Sequence, residues 1–367
     1  MNILNYILIT PEKICSLTES EWELLIRQGR TAHMLGRLYY IFKYNELLQH
    51  IKNKYLWHFE SAYKLSQKLL HNSLRELDEL SRTLDEINVK PIFLKGAAYQ
   101  AANLPCSIGR IMSDIDLLVD KNQLALVQNH LLKYKWMANP IDDYDEKYYR
   151  TWMHEIPPLR HITRLTTLDV HHNILPLTNK KVIDPRRLNY RQVSHDWFGE
   201  ILTLDPVDTV IHSSVHLFTE SEFPKGLRDL SDLDMLIRHF SETDAIFVDK
   251  LIERSNELGL ANYIKLALRY TNLILQTPVT ATKKHLENNN LQSKLSIKFW
   301  DFCYTNIFKP HHSSVNSPAL RIAKFTLYWK GHLLRMPLKL LIPHLTIKTC
   351  MQMRDIFVKR DSSKKGI

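Results

Sequence analysis

Residues 114–119 read Asp-Ile-Asp-Leu-Leu-Val, so polar and apolar side chains alternate before the stretch becomes wholly apolar. This pattern predicts a β-strand that enters a protein core. On such a strand Asp114 and Asp116 point to one face and Ile115 points to the other. Two carboxylates this close repel each other unless a cation lies between them, and Mg²⁺ binds carboxylate oxygens together with substrate phosphates. The pair would also fit the solvated end of a strand. The surrounding sequence is therefore needed to distinguish a metal site from a solvated strand end.

The chain before this strand contains a second short apolar run, Pro91-Ile-Phe-Leu94, which predicts another strand. Lys95 and Gly96 follow it, and the next residues up to Ala102 are compatible with a helix. Gly96 therefore lies between a strand and a helix, where a bare backbone and a helix N-terminus can approach a phosphate. Lys95 and Arg110 add positive charge nearby in the sequence.

A third carboxylate lies in the later stretch Leu168-Asp-Val-His-His172. Two runs rich in β-branched residues, 159–162 and 166–170, predict a hairpin that would place Asp169 on its second strand. Alternation along that strand puts His171, rather than His172, on the face of Asp169. His171 is thus a candidate for contact with a triphosphate or an acceptor, and a structural role is the alternative. Three carboxylates, a glycine turn and two cations suit phosphoryl transfer with two metal ions.

The composition excludes several other kinds of site. The 367 residues include only nine glycines, scattered along the chain, and no GxGxxG, GxxxxGK[ST] or GxSxG motif occurs. Four widely spaced cysteines show no zinc-type spacing, which indicates reduced cysteines in a cytoplasmic protein. We assign no metal to a further group of histidines, because they lack a typical ligand spacing: His154, His161, His212 and His216.

Three blocks of the sequence together resemble a known family: Leu94-Lys-Gly-Ala-Ala-Tyr99, Arg110-Ile-Met-Ser-Asp-Ile-Asp-Leu-Leu-Val119 and Leu168-Asp-Val-His171. They are similar to the KG, R-x-x-SDIDLLV and D-x-H blocks of the uncharacterised bacterial nucleotidyltransferase family, which belongs to the polymerase-beta-like nucleotidyltransferase superfamily. The stretch Arg228-Asp-Leu-Ser-Asp-Leu-Asp234 resembles a further block, although Arg228 and Asp232, four residues apart, also fit an ordinary ion pair. The resemblance covers about residues 18–240.

This resemblance implies a nucleotidyltransferase fold in which Gly96 opens the nucleotide-binding helix. It also implies that Asp114, Asp116 and Asp169 are the catalytic residues and hold Mg²⁺. Residues for binding a nucleoside triphosphate such as ATP are expected around them, and we predict Lys95, Gly96, Arg110, Ser113 and His171.

The rest of the chain is predicted to be mainly helical. Thr18 and Glu21 form a capping box, and apolar residues recur with a helical period from Ser61 to Ile87. We expect an α+β protein with a small mixed sheet. Its predicted parts are a helical N-terminal region, residues 1–89; a nucleotidyltransferase core, residues 90–175; a helical C-terminal region, residues 176–317; and a basic tail, residues 318–367.

The tail accounts for most of the net charge of +10. Residues 318–367 contain eleven Lys or Arg and two Asp, and these alternate with large apolar residues such as Trp329 and Leu333. Such a segment can lie on an anionic membrane or on a nucleic acid backbone, or it can pack on the protein body with solvated lysines. The expected location is the cytoplasm, including the inner face of its membrane.

The function predicted from these observations is metal-dependent transfer of a nucleoside monophosphate from a nucleoside triphosphate to an unknown acceptor, with release of pyrophosphate. One alternative is a toxin-like nucleotidyltransferase that acts on protein or tRNA. Another is a non-catalytic nucleotide-binding scaffold, favoured by Ala97 where the superfamily has serine or glycine. The sequence indicates neither the acceptor nor the oligomeric state.

Overall fold

A mixed seven-stranded sheet with helices on both sides confirms the predicted α+β class. The computed structural model describes residues 2–195, 199–279 and 294–364, with side chains from residue 295 to residue 351 in the last range. The strands are β1 Ile92–Leu94, β2 Asp114–Leu118, β3 Trp136–Ala138, β4 Leu159–His161, β5 Thr167–His171, β6 Tyr190–His195 and β7 Gly199–Leu204. Their order in the sheet is β3-β4-β5-β2-β1-β7-β6.

Helices make up most of the remaining described chain. The N-terminal group is α1 Ile3–Ile9, α2 Glu19–Thr31, α3 Leu35–Tyr44 and α4 Asn53–Asp85. Between the strands lie α5 Lys95–Ala101, α6 Leu124–Lys133 and α7 Asp143–Trp152. The C-terminal group is α8 Pro206–Thr219, α9 Gly226–Thr243, α10 Phe247–Glu257, α11 Ala261–Leu275, α12 Lys294–Ile307, α13 Pro318–Arg335 and α14 Leu338–Lys364.

Local signals in the sequence account for several of these elements. The Thr18–Glu21 capping box starts α2, with both reciprocal hydrogen bonds formed. The helical period seen from Ser61 belongs to the 33-residue α4. The predicted hairpin is also present, since β4 and β5 are antiparallel neighbours with Leu159 paired to Leu168.

The two faces of the sheet have different roles. Ile115 and Leu117 of β2 pack with Leu77, Leu80 and other residues of α4 and α6 in one hydrophobic cluster. The opposite face carries Asp114 and Asp116 and looks toward α8 and α9, whose apolar residues form the largest core of the protein. The strand alternation thus places the carboxylates on the side of the C-terminal helices.

The sheet continues further along the chain than the sequence predicted. The sequence pattern predicts neither strand β3 nor the hairpin β6–β7, and the two hairpin strands lie in the segment 176–317, for which it predicts helices. Strand β7 pairs in parallel with β1, which makes β1 an interior strand. The edge strand β6 reads Tyr-Arg-Gln-Val-Ser-His and none of its residues is fully buried, so its hydrophobic signal is weak.

The basic C-terminal segment is joined to the protein body. In α13 the side chains of Leu320, Ala323 and Leu327 are buried in the core formed with α8 and α9. Gly331 lies against the backbone of Ser221, where a Cβ would come within 2.7 Å of its Cα atom. Within the described part of the chain, no helix combines the length and the apolar character needed to cross a membrane.

Candidate active site

The carboxylates converge because β1, β2 and β5 are neighbours. Asp116 lies in register with Leu94 of β1 on one side and with Asp169 of β5 on the other. Asp114 precedes Asp116 by two residues and therefore shares its face of the sheet. The structure thus brings together Asp114, Asp116 and Asp169, although they lie up to 55 residues apart in the sequence.

Two cationic or polar side chains hold Asp116. Lys95 Nζ lies 2.6 Å from Asp116 Oδ1, and His171 Nε2 lies 2.9 Å from the same oxygen. Burial by itself would raise the pKa of Asp116, but the charge of Lys95 and the hydrogen bond from His171 outweigh it and keep the pKa well below its usual value. Lys95 is one of the predicted nucleotide-binding residues, and here its ammonium group is turned to this carboxylate.

The neighbouring Asp169 has a different environment. Its Oδ1 atom is buried and has no hydrogen-bond partner among the described residues. Burial, followed by the negative charges of Asp116 and Glu155, raises the pKa of Asp169 to about 7. A buried carboxylate oxygen without a partner is costly, so this atom marks a position where a cation would be stabilising.

Asp114 lies at the more open end of the site. Ser113 Oγ donates a hydrogen bond to Asp114 Oδ1 at 2.8 Å, and Lys225 Nζ donates to Ser113 Oγ at 2.8 Å. Lys225 immediately precedes α9, so this chain of contacts links the sheet to the C-terminal helices. Burial, and then the charge of Arg228, lowers the pKa of Lys225.

A cavity of about 210 Å³ lies between the carboxylates of Asp114 and Asp116 and the helices α8 and α9. Its wall combines negative, positive and aromatic side chains. The lining residues include Lys95, Gly96, Tyr99, Arg110, Asp114, Asp116, His216, Phe223, Lys225, Arg228 and Asp229.

Gly96 allows close packing at this wall. A Cβ atom at position 96 would lie 2.5 Å from Arg110 Nη1 and would also collide with Met112 Sδ. The preceding residue, Lys95, has a left-handed backbone with φ of +46°, which is uncommon for a residue other than glycine. The strand therefore turns sharply into α5 at the place where the sequence predicted a glycine turn.

Arg110 has a structural partner in addition to its place at the cavity. Its Nε lies 2.9 Å from Asp232 Oδ2, and Arg37 Nη2 lies 2.6 Å from Asp232 Oδ1, with all three side chains buried. The expected Arg228–Asp232 pair is not formed, because Arg228 binds Asp229 with Nη2 to Oδ1 at 2.6 Å. Asp232 instead anchors α9 to α3 and to the loop before β2.

Beside Asp169 lies a group of metal-ligating side chains that is not evident in the sequence, and it includes His154, to which the sequence spacing assigned no metal. His154, Glu155 and His171 each offer a ligand atom, and these atoms lie within 4.8 Å of one another. An isolated β-bridge between Glu155 and His171 joins the two segments, and Ile156 N donates to Val170 O at 3.1 Å. No regular spacing could reveal this group, because the bridge is formed by residues 16 positions apart in the chain.

Comparisons with known proteins identify a family and several similar solved structures. The sequence profile of a family described as uncharacterised nucleotidyltransferase matches residues 18–276. The chain is also similar to the crystal structure of an antigenic nucleotidyltransferase-like protein from Paracoccidioides brasiliensis, with 14% identity and a TM-score of 0.32. That match covers 53% of this chain and 93% of the other. A comparison with curated proteins gives no significant match.

Proposed function

The chain belongs to the uncharacterised nucleotidyltransferase family, and we propose that it transfers a nucleoside monophosphate from a nucleoside triphosphate to an acceptor and releases pyrophosphate. One observation carries this proposal. The buried, unpartnered Asp169 Oδ1 lies on the strand next to Asp116, and Asp116 lines a cavity together with lysine and arginine side chains.

The donor set fits Mg²⁺. The ligands we propose are Asp114, Asp116 and Asp169, because carboxylate oxygens are what this ion prefers and Asp169 Oδ1 lacks any other partner in the described chain. When bound, the ion would neutralise charge on the phosphates and lower the pKa of the acceptor hydroxyl. With a pKa of about 7, Asp169 can release its proton near neutral pH and become available as a ligand.

The side chains around the carboxylates would orient the triphosphate. Lys225 and Arg228 line the cavity across from Asp114 and can attract phosphate oxygens. Lys95 reaches Asp116 and also lines the cavity, so its ammonium can neutralise either the carboxylate or a phosphate. Ser113, placed between Asp114 and Lys225, fixes the spacing of the acidic and basic sides.

The direct test is Asp114→Asn, assayed with each α-labelled triphosphate, beginning with ATP, in the presence and absence of Mg²⁺. We expect loss of transfer by at least about 1,000-fold, because one carboxylate ligand of the metal is removed. The melting curve should not change, because the hydrogen-bond partner of Asp114, Ser113, is exposed to solvent. Calorimetry with each triphosphate distinguishes a catalyst from a nucleotide-binding scaffold. An Asn variant with full activity would contradict the proposal.

The acceptor can be sought directly by mass spectrometry. Wild-type protein and the Asp114→Asn variant are incubated with four labelled triphosphates and a lysate of the host, and products that appear only with the wild type are identified. A labelled protein or tRNA would support the toxin-like alternative. A labelled small molecule would show that the acceptor is a metabolite rather than a protein or tRNA.

We also propose that α13 contacts an anionic membrane surface from the cytoplasmic side. Ile322, Phe325, Trp329 and Leu333 are exposed and recur every three or four residues, so they form one apolar stripe on a helix whose other face is buried. Arg321 is exposed beside the stripe, and Lys324 is exposed elsewhere on the same helix. Aromatic and aliphatic side chains flanked by cations suit a lipid interface, whereas a nucleic acid backbone offers the apolar stripe no matching surface.

Co-sedimentation with phosphatidylserine-containing vesicles tests this contact. The double variant Phe325→Ser/Trp329→Ser should bind at least about tenfold more weakly, while Trp57→Ser/Leu65→Ser on the exposed face of α4 serves as a matched control. Point variants are preferable to truncation after residue 317, because truncation would remove the core residues Leu320 and Leu327 and expose the apolar side chains that they cover. Equal vesicle binding by both double variants would refute the contact, and RNA binding lost with Arg321 and Lys324 would favour nucleic acid instead.

A further inference from the structure

The group formed by His154, Glu155 and His171 has the chemistry of a second metal site. His171 Nδ1 lies 3.4 Å from Glu155 Oε2. Ligands that surround an ion tetrahedrally at 2.0–2.1 Å lie roughly 3.3 Å apart, so this pair already has a suitable separation. The rings of His154 and His171 have centroids 5.2 Å apart, which places the two imidazoles side by side.

One imidazole nitrogen in this group, His154 Nδ1, is buried and makes no hydrogen bond within the described chain. The backbone around it is fixed, because His154 O accepts hydrogen bonds from His172 N at 2.8 Å and Asn173 N at 3.2 Å. A buried imidazole nitrogen without a partner, carried by a backbone that is held in place, is positioned to receive a ligand.

The other nitrogen of His171 completes the arrangement. His171 Nε2 lies 2.9 Å from Asp116 Oδ1, so it can donate a proton to this carboxylate while Nδ1 stays free to bind an ion. Histidine ligands in metal sites commonly donate their second N–H to a carboxylate, which fixes the tautomer and the ring orientation. Asp116 would then have two roles. It would orient His171 in the transition-metal site by accepting its hydrogen bond, and it would itself be a ligand in the Mg²⁺ site.

We propose that His154, Glu155 and His171 bind a divalent transition-metal ion of the Zn²⁺, Co²⁺ or Mn²⁺ class, separate from the Mg²⁺ ligands Asp114 and Asp169. Two imidazoles and one carboxylate leave a coordination position open for water or a substrate atom. Imidazole nitrogens favour transition metals over Mg²⁺, which prefers oxygen ligands. The site does not depend on the proposed nucleotidyl transfer.

Co²⁺ is the probe, because its visible absorption reports coordination by nitrogen ligands independently of activity. Chelator-treated full-length protein is titrated with CoCl₂, and Zn²⁺ is then added as a competitor. We expect about one Co²⁺ per chain and its displacement by Zn²⁺. His154→Gln and Glu155→Gln should each weaken Co²⁺ binding at least about tenfold, and Asp116→Asn should weaken it about 10- to 100-fold through His171.

The controls separate this site from its surroundings. His172→Gln changes the next residue of the same buried segment, which lies outside the group, and should leave Co²⁺ affinity unchanged. Asp114→Asn should keep Co²⁺ binding even if it abolishes Mg²⁺-dependent transfer, so the two proposals can fail separately. Absence of stoichiometric Co²⁺ binding, or equal affinity in the folded Glu155→Gln variant and the wild type, would overturn the inference. Thermal melting establishes that each variant is folded.

Discussion

Two buried groups of charged residues lie on either side of Gly96 and differ in one respect. Around Asp232 the charges are paired, because both carboxylate oxygens bind an arginine, Arg37 or Arg110. Around Asp169 they are not, because Asp116 takes the contacts of Lys95 and His171 and leaves Asp169 Oδ1 without a partner. Lys95 and Asp116 of one group and Arg110 and Asp232 of the other line the same cavity. Only Asp169, on the strand next to Asp116, has a buried carboxylate oxygen without a partner among the described residues.

The comparison separates a structural role from a binding role. A buried carboxylate whose oxygens are all paired holds elements together, and the pKa of Asp232 is low because the charges of Arg110 and Arg37 outweigh the effect of burial. A carboxylate with a buried free oxygen and a raised pKa destabilises the protein when it is ionised, until a cation binds. Substitution by asparagine should therefore have opposite effects at the two positions.

The largest effect is expected for Asp232→Asn. Removal of this charge leaves Arg37 and Arg110 buried without compensation, which should lower the free energy of unfolding by about 3–5 kcal/mol. Urea denaturation measures the change. The exposed Asp184, which pairs with Arg186, is the control, and Asp184→Asn should change the free energy of unfolding far less than Asp232→Asn does. Equal losses in the free energy of unfolding of the two variants would show that the buried ion pairs of Asp232 matter no more than an exposed ion pair.

At Asp169 the same substitution should be stabilising in metal-free buffer. A pKa raised to about 7 means that the folded state keeps a proton that the unfolded state releases, so the free energy of unfolding falls as pH rises from about 4 to 7. The shift corresponds to roughly 4 kcal/mol at most, and with partial hydration we expect about 2 kcal/mol. Asp169→Asn should recover this energy at pH 8.

The measurement is a series of urea denaturations between pH 5 and pH 8 with a chelator present. Wild-type stability should decline across this range more steeply than that of Asp169→Asn, and a second series with Mg²⁺ in place of the chelator should restore the wild type alone. The exposed Asp249 provides a control substitution on α10. A variant that is less stable than the wild type at pH 8 would show that Asp169 is paired after all.

Gly96→Ala tests the boundary between the two groups. The added methyl group collides with Met112 Sδ and with Arg110 Nη1, which the bond to Asp232 holds in place. We expect a loss of about 1–3 kcal/mol in the free energy of unfolding and weaker nucleotide binding in calorimetry. The double variant Gly96→Ala/Met112→Ala should regain part of the nucleotide affinity. If it regains none, contact with Arg110 rather than Met112 is decisive.

The smallest effect is expected for Lys225→Met. This residue contacts only Ser113 among the hydrogen bonds described, and it lines the cavity opposite the carboxylates. We expect about tenfold weaker triphosphate binding, near 1.4 kcal/mol, with little change in stability. The exposed Lys133→Met is the control. If the triphosphate affinity of Lys225→Met and its salt dependence are unchanged, Lys225 does not contact the phosphates, and Lys95 is the better candidate.

Much of the fold could be predicted from local patterns. The alternation at residues 114–119 located β2 and the shared face of Asp114 and Asp116, and the Thr18–Glu21 box located the start of α2. Strand β6 was not predicted because its side chains are mostly polar and none is fully buried. Its partner β7 gains stability by pairing with the distant β1, and a sequence window does not contain that information.

The candidate site shows the same division. The sequence alone determined the chemical types of its residues, the acidic pair on one face of a strand, and the glycine between a strand and a helix, because these depend on spacing within a few residues. Only the tertiary structure decided that Lys95 turns to Asp116, that Asp232 rather than a phosphate takes Arg110 Nε, and that Glu155 and His154 lie beside His171. These contacts join segments far apart in the chain, and their partners are selected by how the sheet and helices pack.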